Sequence, residues 1–358
     1  MPKLLSGILA RASVGGVSVL AFSDLAPPDP GQLPPFNPPP RFGKTTFGQY
    51  QPQDPSQADA LSAVRAFVKS AATPRPASHG RWPWQRSEPE QGQGLYMDGG
   101  FGVGKTHLLA AAYGALELAP EKKLYLSFSE LVHAVGVLGI ANAKDKLGHA
   151  ALYCIDEFEL DDPGNTLIVK SFLEHAFAQG GFVLTTSNTP PAAQGEGRFN
   201  ASDFKREIQS VAKRFEVVPI GGPDYRKREQ EAKPLTQDQV LRLSQAEVFA
   251  EGQKVRASWP ELFAFLEAHH PIRYSSYLNQ IAALYVTGAR TIPDQNGALR
   301  FVHFIDKLYD LKVGLRLSSQ VPLEKLFDAH YRDGAYAKKH YRCLSRISEL
   351  LEEILPAP

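Results

Sequence analysis

The sequence has no excess of charge of either sign and almost no cysteine. Its 358 residues include 39 Lys or Arg and 38 Asp or Glu, so no overall electric field would attract nucleic acid or an anionic membrane. The two cysteines, Cys154 and Cys343, have no metal-binding spacing, and the apolar run around Cys154 favours buried thiols in a reducing compartment. The composition argues against an extracellular protein and gives no strong nucleic-acid signal.

Long apolar runs are also scarce. Only residues 4–22 are apolar over a length that raises the question of a membrane segment, and Arg11 and Ser13 interrupt them. No A-x-A-like cleavage site follows, so we expect a strand or hairpin there rather than a signal peptide or an anchor. The sequence therefore predicts a cytoplasmic protein that would reach a membrane only through a partner.

A glycine-rich stretch organises the chain. An apolar run at residues 95–97 predicts a buried strand, and apolar residues at helical spacing follow from Leu108. The turn between them fits G-x-x-x-x-G-K-[ST], in which backbone N–H groups surround a phosphate. Lys105 would reach the β- and γ-phosphate oxygens and Thr106 would bind Mg²⁺, so the predicted cofactors are ATP and Mg²⁺. The predicted nucleotide-binding residues are Gly99, Gly100, Phe101, Gly102, Val103, Gly104, Lys105, Thr106 and His107.

Polar side chains follow two later apolar strands. The run AALYCID ends at Asp156 and Glu157, where the carboxyl end of a central strand would place them beside the phosphate loop. Asp156 would hold Mg²⁺, and Glu157 would activate the attacking water. The run GFVLTTSN ends at Asn188, whose amide could contact the water and the γ-phosphate. Alternatively, Asn188 only starts the turn into the prolines that follow.

Arginines near residue 200 are candidates for a contact between subunits. Arg206 and Arg214 lie on a predicted helix, and Arg198 precedes it. In a ring, Arg206 would reach a neighbour's γ-phosphate and stabilise transition-state charge. The alternative is that these arginines are simply solvated on the surface.

Alternating strands and helices predict an α/β fold with a parallel sheet flanked by helices. We expect an N-terminal extension with a proline-rich linker and an amphipathic helix, then a P-loop ATPase core, then a mixed α/β region with a strand-helix-strand unit and terminal helices. The predicted bounds are 1–90, 91–222 and 223–358. The basic start of the last helix, residues 338–342, could contact a partner.

A degenerate repeat could relate the last two regions. Residues 151–153 recur 132 positions later at 283–285, and Ser187 corresponds to Ser319. Asp156 and Glu157 would correspond to Gly288 and Ala289, so the copy would lack the acidic pair. Chance reuse of a common strand-helix-strand pattern is the alternative. In either case the sequence predicts a strand at residues 311–318 and a last helix at about 336–355.

Several segments together resemble one family. LYMDGGFGVGKTHLL, CIDEFELDDPG, TTSNTPP and GEGRFNASDFKREIQ, with the more specific GPDYRKR and KKHYRCLSR, are similar to the ZapE-type, AFG-like P-loop ATPases. The resemblance implies an AAA+-like sheet with strand order 5-1-4-3-2, ATP-dependent oligomers with sites at subunit interfaces, and a protein client in the division machinery. The sequence has no plain four-helix lid after the fifth strand. Arg346 is a candidate nucleotide sensor from the C-terminal region, and Tyr225 and Arg226 could turn back to the nucleotide or lie in an exposed connector.

The predicted function is Mg²⁺-dependent ATP hydrolysis coupled to the remodelling of a protein partner. A GTPase is disfavoured because no N-K-x-D motif follows the fourth strand. One alternative is a nucleic-acid-associated ATPase of the helicase-loader type, which would need a basic, aromatic-lined path for a strand. Another is an interaction protein that binds ATP and scarcely hydrolyses it.

Overall fold

Two parallel sheets organise the part of the chain that the computed structural model describes, which comprises residues 18–29, 31–73, 92–160, 163–191, 194, 209–223, 233–334 and 336–355. The strands, in chain order, are β1 (Val19–Leu20), β2 (Gly94–Gly99), β3 (Lys123–Ser127), β4 (Leu152–Asp156), β5 (Phe182–Ser187), β6 (Phe215–Ile220), β7 (Gln253–Ser258), β8 (Ile281–Ala289) and β9 (Gly314–Ser319). The α-helices are α1 (Pro55–Ala72), α2 (Lys105–Ala115), α3 (Phe128–Leu138), α4 (Ile140–Leu147), α5 (Pro163–Ala178), α6 (Gln237–Ala246), α7 (Trp259–Ala268), α8 (Tyr274–Leu278), α9 (Gln295–Asp310), α10 (Ala329–Arg332) and α11 (Ala337–Glu352).

The first sheet carries the predicted site. Its five parallel strands have the order β3-β4-β5-β2-β6. Counted within this sheet, that order is 5-1-4-3-2, which confirms the order that the family resemblance implied. The register pairs Asp98 with Ser187 and Ser127 with Asp156. The strand ends that lead into the phosphate loop, the acidic pair and Asn188 therefore lie along one edge of the sheet.

Helix α1 covers one side of this sheet. It begins after Asp54, whose side chain accepts a hydrogen bond from Ser56 N at 2.9 Å, and Pro55 occupies its first position. The helix packs against α2 and β6. It is the predicted amphipathic helix, and it lies beside the helix that follows the phosphate loop. Its buried residues are Gln57, Ala60, Val64, Phe67 and Val68.

The proline-rich stretch lies along the free edge of β3. We call residues 31–42 the strap. Tyr125 N in β3 donates to Phe36 O at 3.0 Å, and Arg41 N donates to Asp310 O at the end of α9 at 3.1 Å. The strap therefore protects part of an open strand edge and also contacts the second half of the chain.

The second sheet has four parallel strands in the order β1-β7-β8-β9. Strand β1 lies within the apolar stretch 4–22 and pairs through Val19 and Leu20 with β7. Phe22, just after it, is buried in the core of this sheet. The rest of that stretch, residues 4–17, lies outside the described residues, so the expectation of a strand or hairpin there stays a prediction.

Helices and strands of the two sheets correspond at the offset seen in the sequence. Both ends of α9 lie 132 positions after those of α5, and both ends of β9 lie 132 positions after those of β5. The positions 132 residues after β4 likewise lie within β8. The strand-helix-strand unit without an acidic pair is thus present as β8-α9-β9. The bounds of the three predicted regions stay a prediction.

The predicted strand at 311–318 is wrong at its start. Its first residues close α9: Lys312 N donates to Tyr309 O at 3.2 Å, and Val313 N donates to Leu308 O at 3.1 Å. Lys312 has a φ of 56°. This is the hydrogen-bond pattern of a Schellman motif, in which a left-handed residue ends the helix. Residues 311–313 therefore close α9, and β9 begins only at Gly314.

The two sheets have separate apolar cores. The largest set of buried apolar side chains packs against β7, β8 and β9, and a small separate cluster of Val240, Ala283 and Tyr285 packs on the same sheet. Two other cores cover the two faces of the first sheet. The last helix, predicted at 336–355, is α11. Within the described segments, no helix combines the length and the apolar character needed to cross a bilayer.

Candidate active site

The phosphate loop joins β2 to α2, and its glycines are required by backbone geometry. Gly102 has a φ of 74° and Gly104, which caps α2, has a φ of 91°. A Cβ at position 104 would also overlap the ring of Tyr50. The Tyr50 hydroxyl donates to Val103 O at 2.9 Å, so Tyr50, which lies between the strap and α1, braces the loop. This left-handed turn before a helix is the arrangement that points N–H groups at an anion.

Lys105 is buried within this loop. Its Nζ donates to Gly99 O at 2.7 Å, to Gly100 O at 2.6 Å and to Asn188 Oδ1 at 2.9 Å. The structure therefore brings the predicted phosphate-binding lysine and the predicted sensing amide into direct contact. The role of Asn188 as a sensor of the γ-phosphate stays a prediction.

The two predicted metal ligands are neighbours. Thr106 Oγ1 donates to Asp156 Oδ1 at 3.3 Å. Thr186 Oγ1 donates to the same carboxylate oxygen, and Tyr125 OH donates to Oδ2 at 3.3 Å. Desolvation by the surrounding protein raises the pKa of Asp156, the negative charge of Glu157 raises it further, and the hydrogen bond from Thr186 opposes both. Thr186 and Tyr125 were not singled out in the sequence.

A hydroxyl and a carboxylate oxygen are the hard donors that Mg²⁺ prefers, and Mg²⁺ in nucleotide sites usually takes few protein ligands beside phosphates and water. In the parts of the chain with described positions, no group of three or more His, Cys, Asp or Glu residues could hold a metal alone. The pair Thr106 and Asp156 therefore fits a nucleotide-bound Mg²⁺ better than a resident metal centre.

Glu157 has an unusual backbone conformation. Its φ is 51°, a value uncommon for residues other than glycine, and such strain occurs at functional sites. Its N–H donates to Thr186 Oγ1 at 3.0 Å, which holds this turn against β5. Its side chain is half exposed, and Oε1 accepts from Arg342 Nη1 at 3.2 Å. Desolvation raises the pKa of Glu157, but the charges of Arg342, Arg346 and Lys307 together more than offset this, so the pKa is lowered.

The partner of Glu157 comes from the second half of the chain. Arg342 lies on α11 and forms a second, close ion pair with Asp306 on α9. Its guanidinium carbon is 5.2 Å from the ring centroid of Phe101 in the phosphate loop. Arg346, the predicted sensor, lies four residues further along α11 and pairs with Asp306 and Asp310 instead. Both arginines belong to the RCLSR segment, one of the segments that carry the family resemblance. This segment is the sequence feature that could have pointed to Arg342.

These charges surround one cavity of about 810 Å³. It extends from the phosphate loop to the strap, the segment 49–53, α9 and α11. Of the predicted nucleotide-binding residues, those that line it are Phe101, Gly102, Gly104, Lys105, Thr106 and His107. Gly99, Gly100 and Val103 shape the loop through their carbonyl groups. Burial lowers the pKa of His107, whose Nε2 lies 3.0 Å from Thr46 O.

Other predicted residues are not tested by this geometry. Arg198, Arg206, Tyr225 and Arg226 lie outside the described residues. Arg214 is exposed and does not line the cavity. The identity of an arginine acting between subunits stays a prediction.

A phosphate loop on the first strand, an acidic pair on the third and the strand order 5-1-4-3-2 are the arrangement of a P-loop ATPase. The chain belongs to the AFG1-like ATPase family, whose model matches residues 44–250 and 238–356. This confirms the resemblance drawn from the sequence motifs and establishes ATP hydrolysis as the class of activity.

Two curated relatives and one solved structure are similar to parts of the chain. The chain is similar to cell division protein ZapE of Escherichia coli strain K12, with 24% identity over 355 residues that cover 86% of this chain and 93% of the relative. It is similar to lactation elevated protein 1 homolog B of Danio rerio, with 24% identity over 310 residues, 71% of this chain and 61% of the relative. The crystal structure of the DnaC helicase loader matches with a TM-score of 0.35 and 19% identity, covering 51% of this chain and 99% of that one.

Proposed function

We propose that this ATPase depends on Mg²⁺ and couples hydrolysis to the remodelling of a protein partner in cell division. The observation that supports the chemistry is the meeting of five predicted side chains at one sheet edge beside one cavity. They are Lys105, Thr106, Asp156, Glu157 and Asn188.

Each side chain has a role that its surroundings allow. Lys105 would exchange its bonds to loop carbonyls for phosphate oxygens, while Asn188 stays within reach of the same group. Thr106 and Asp156 would hold Mg²⁺, which supplies charge neutralisation at the phosphates. Glu157 would accept a proton from the attacking water molecule. The oxygen of that water would bond to the γ-phosphorus while the bond between the γ-phosphorus and the β–γ bridging oxygen breaks.

The partner and the place of action rest on family membership. A relative carries the name cell division protein ZapE, so we propose a client in the division machinery. We place the work in the cytoplasm at the division site, reached through that client, in agreement with two free, buried cysteines. We also propose ATP-dependent homo-oligomers in which Arg206 serves a neighbour's site.

Two substitutions separate binding from chemistry. Lys105→Ala removes the charge that neutralises the phosphates, so we expect loss of nucleotide binding. Glu157→Gln keeps the shape of the site and should retain nucleotide while losing turnover by about 10²-fold or more. Arg290→Ala, a change at an exposed position outside the cavity, serves as the control and should behave as the wild type. Wild-type turnover by Glu157→Gln would refute the role of this residue.

The partner is tested with the same variants. Glu157→Gln protein loaded with ATP should retain division proteins during purification, and Lys105→Ala should not. Addition of single-stranded DNA to the ATPase assay decides against the helicase-loader alternative if turnover stays unchanged, and in its favour if turnover rises. Omitting Mg²⁺ should abolish hydrolysis.

A further inference from the structure

We propose that Arg342 is a positioning residue for ATP hydrolysis, supplied to Glu157 of the same subunit by the C-terminal α/β unit. The inference rests on the proposed role of Glu157 as the base. It adds a residue that lies 185 positions away in the chain and outside every phosphate-binding motif.

The geometry fixes the guanidinium of Arg342 at both ends. One terminal nitrogen, Nη1, contacts Glu157 at 3.2 Å, and the other, Nη2, forms a close ion pair with Asp306. The face of the group lies against Phe101. Only 8% of the side chain is exposed. A planar guanidinium group held by two ion pairs keeps the carboxylate of Glu157 in one orientation, which a flexible ammonium group would not do.

The contact with Arg342 uses only one of the two carboxylate oxygens of Glu157. Arg342 takes Oε1, and among the residues that the structure describes Oε2 accepts no hydrogen bond. The side chain is half exposed toward the cavity. One oxygen is thus held by the protein while the other can receive a proton from water.

The anchor of Arg342 is itself held firmly. Asp306 is nine-tenths buried and bonds to both Arg342 and Arg346. Those two charges hold the pKa of Asp306 low, at about 2, although burial alone would raise it. Arg346 also faces Asp310 at 3.9 Å. The second sheet therefore presents a rigid cationic group to the first sheet's active site.

The first test compares single variants. Arg342→Met should lower kcat by about tenfold to a hundredfold with little change in the Kd for a fluorescent ATP analogue. Arg342→Lys, which keeps the charge but not the fork, should be intermediate. Arg290→Ala removes a charge from an exposed position that does not line the cavity and should leave kcat unchanged.

The second test separates positioning from a purely structural ion pair. If Arg342 acts through Glu157, adding Arg342→Met to Glu157→Gln should cause no further loss of kcat. If the two losses multiply, or if Arg342→Met raises kcat, the inference is wrong. Should Arg342→Met not fold, Arg342→Lys answers the same questions, and a wild-type kcat in that variant overturns the inference.

Failure of the proposed function would look different. A wild-type protein that does not hydrolyse ATP, or a Glu157→Gln variant with wild-type turnover, refutes the assignment of the base before Arg342 is considered. A loss of turnover in Glu157→Gln together with normal kinetics in Arg342→Met refutes the role of Arg342 alone.

Discussion

Gly104 shows how strongly one position of the phosphate loop is constrained. Its φ of 91° is unfavourable for any other residue, and a Cβ would overlap the ring of Tyr50. We expect Gly104→Ala to destabilise the protein by about 1–3 kcal/mol. Because the loop must shift to relieve the overlap, nucleotide binding should be lost as well. Urea unfolding and nucleotide titration measure the two effects.

Gly136 is the matched control for this prediction. It lies in α3, is exposed, and a Cβ there would meet nothing within 4 Å. Gly136→Ala should therefore stabilise the protein by about 0.5–1 kcal/mol, since alanine is the better helix residue. Equal effects of the two substitutions would mean that the loop conformation at Gly104 is not required.

Two adjacent threonines on β5 differ in their hydrogen bonds. Thr186 Oγ1 donates to Asp156 and accepts from the N–H of Glu157. Thr185 Oγ1 is buried and has no hydrogen-bond partner among the described residues. A hydrogen bond to a charged group contributes about 1.5–3 kcal/mol, whereas an unpaired buried hydroxyl costs about 1–3 kcal/mol.

We therefore expect opposite results from two similar substitutions. Thr186→Val should lower stability and raise the Mg²⁺ concentration needed for half-maximal turnover, because Asp156 loses a bond to its charged form. Thr185→Val should leave the Mg²⁺ requirement unchanged and be neutral or stabilising. Thermal unfolding and a Mg²⁺ titration of turnover test both. An unchanged Mg²⁺ requirement in Thr186→Val would contradict a role for this hydroxyl in holding Asp156.

At the scale of single residues, the side chains that could be predicted to lie together are those that belong to short sequence motifs. Lys105 and Thr106 follow directly from the loop pattern, and Asp156 follows from the end of an apolar strand. Arg342 could not be placed, because its contact with Glu157 depends on how α11 packs against α9 and on how both approach the first sheet. No periodicity in the sequence reports such a contact.

At the scale of helices and strands, the strap is tied to the second half of the chain by Arg41. Its Nε donates to Tyr309 O at 2.7 Å, its guanidinium carbon lies 3.7 Å from the centroid of the Tyr309 ring, and a terminal nitrogen is 2.6 Å from Glu353. The side chain is only 15% exposed. These contacts hold the strap between α9 and the end of α11.

Arg41→Ala should therefore lower stability by about 1–3 kcal/mol, since it leaves a partly buried Glu353 without its cation and removes packing from Tyr309. It should also increase proteolytic cleavage within the strap. Arg290→Ala, at an exposed position, provides the control and should change stability by less than about 0.5 kcal/mol. Matching unfolding curves for the two variants would show that the strap is not anchored by Arg41.

The positions of helices and strands were predictable where pattern and end signal agree. The helix after Asp54 and the strand of the acidic pair are examples. The start of β9 was misplaced because Lys312 closes α9 with a left-handed backbone, a position where glycine is usual and would have marked the helix end. The sequence therefore offered no such mark.

At the scale of the whole molecule, the two sheets meet through charged contacts at the active site. Lys307 on α9 pairs with Glu130 on α3 at 3.0 Å, and Arg342 pairs with Glu157. The five-strand order could be anticipated from the family resemblance, and the second strand-helix-strand unit from its strand and helix patterns, whether or not it is a repeat. The docking of the units could not, because it depends on surfaces that form only after each sheet has folded.

This arrangement distinguishes arginines that act within a subunit from those that act between subunits. The contact of Arg342 with Glu157 lies within one chain, whereas Arg206 is proposed to serve the site of a neighbour. A subunit with Lys105→Ala has a dead site of its own but carries both arginines. Mixing it with Arg206→Ala protein should restore part of the ATPase activity, since the mutant site receives Arg206 from its neighbour.

Mixing Lys105→Ala with Arg342→Met protein should restore nothing, because the impaired site still lacks the arginine that only its own chain can supply. Turnover of each mixture, measured over a range of protein concentrations, makes the comparison. Activity per subunit should rise with concentration in the wild type and in the first mixture, as an oligomer requires. Rescue of Arg342→Met would contradict its action within the subunit. Absence of rescue for Arg206→Ala, or turnover independent of concentration, would contradict a site shared between subunits.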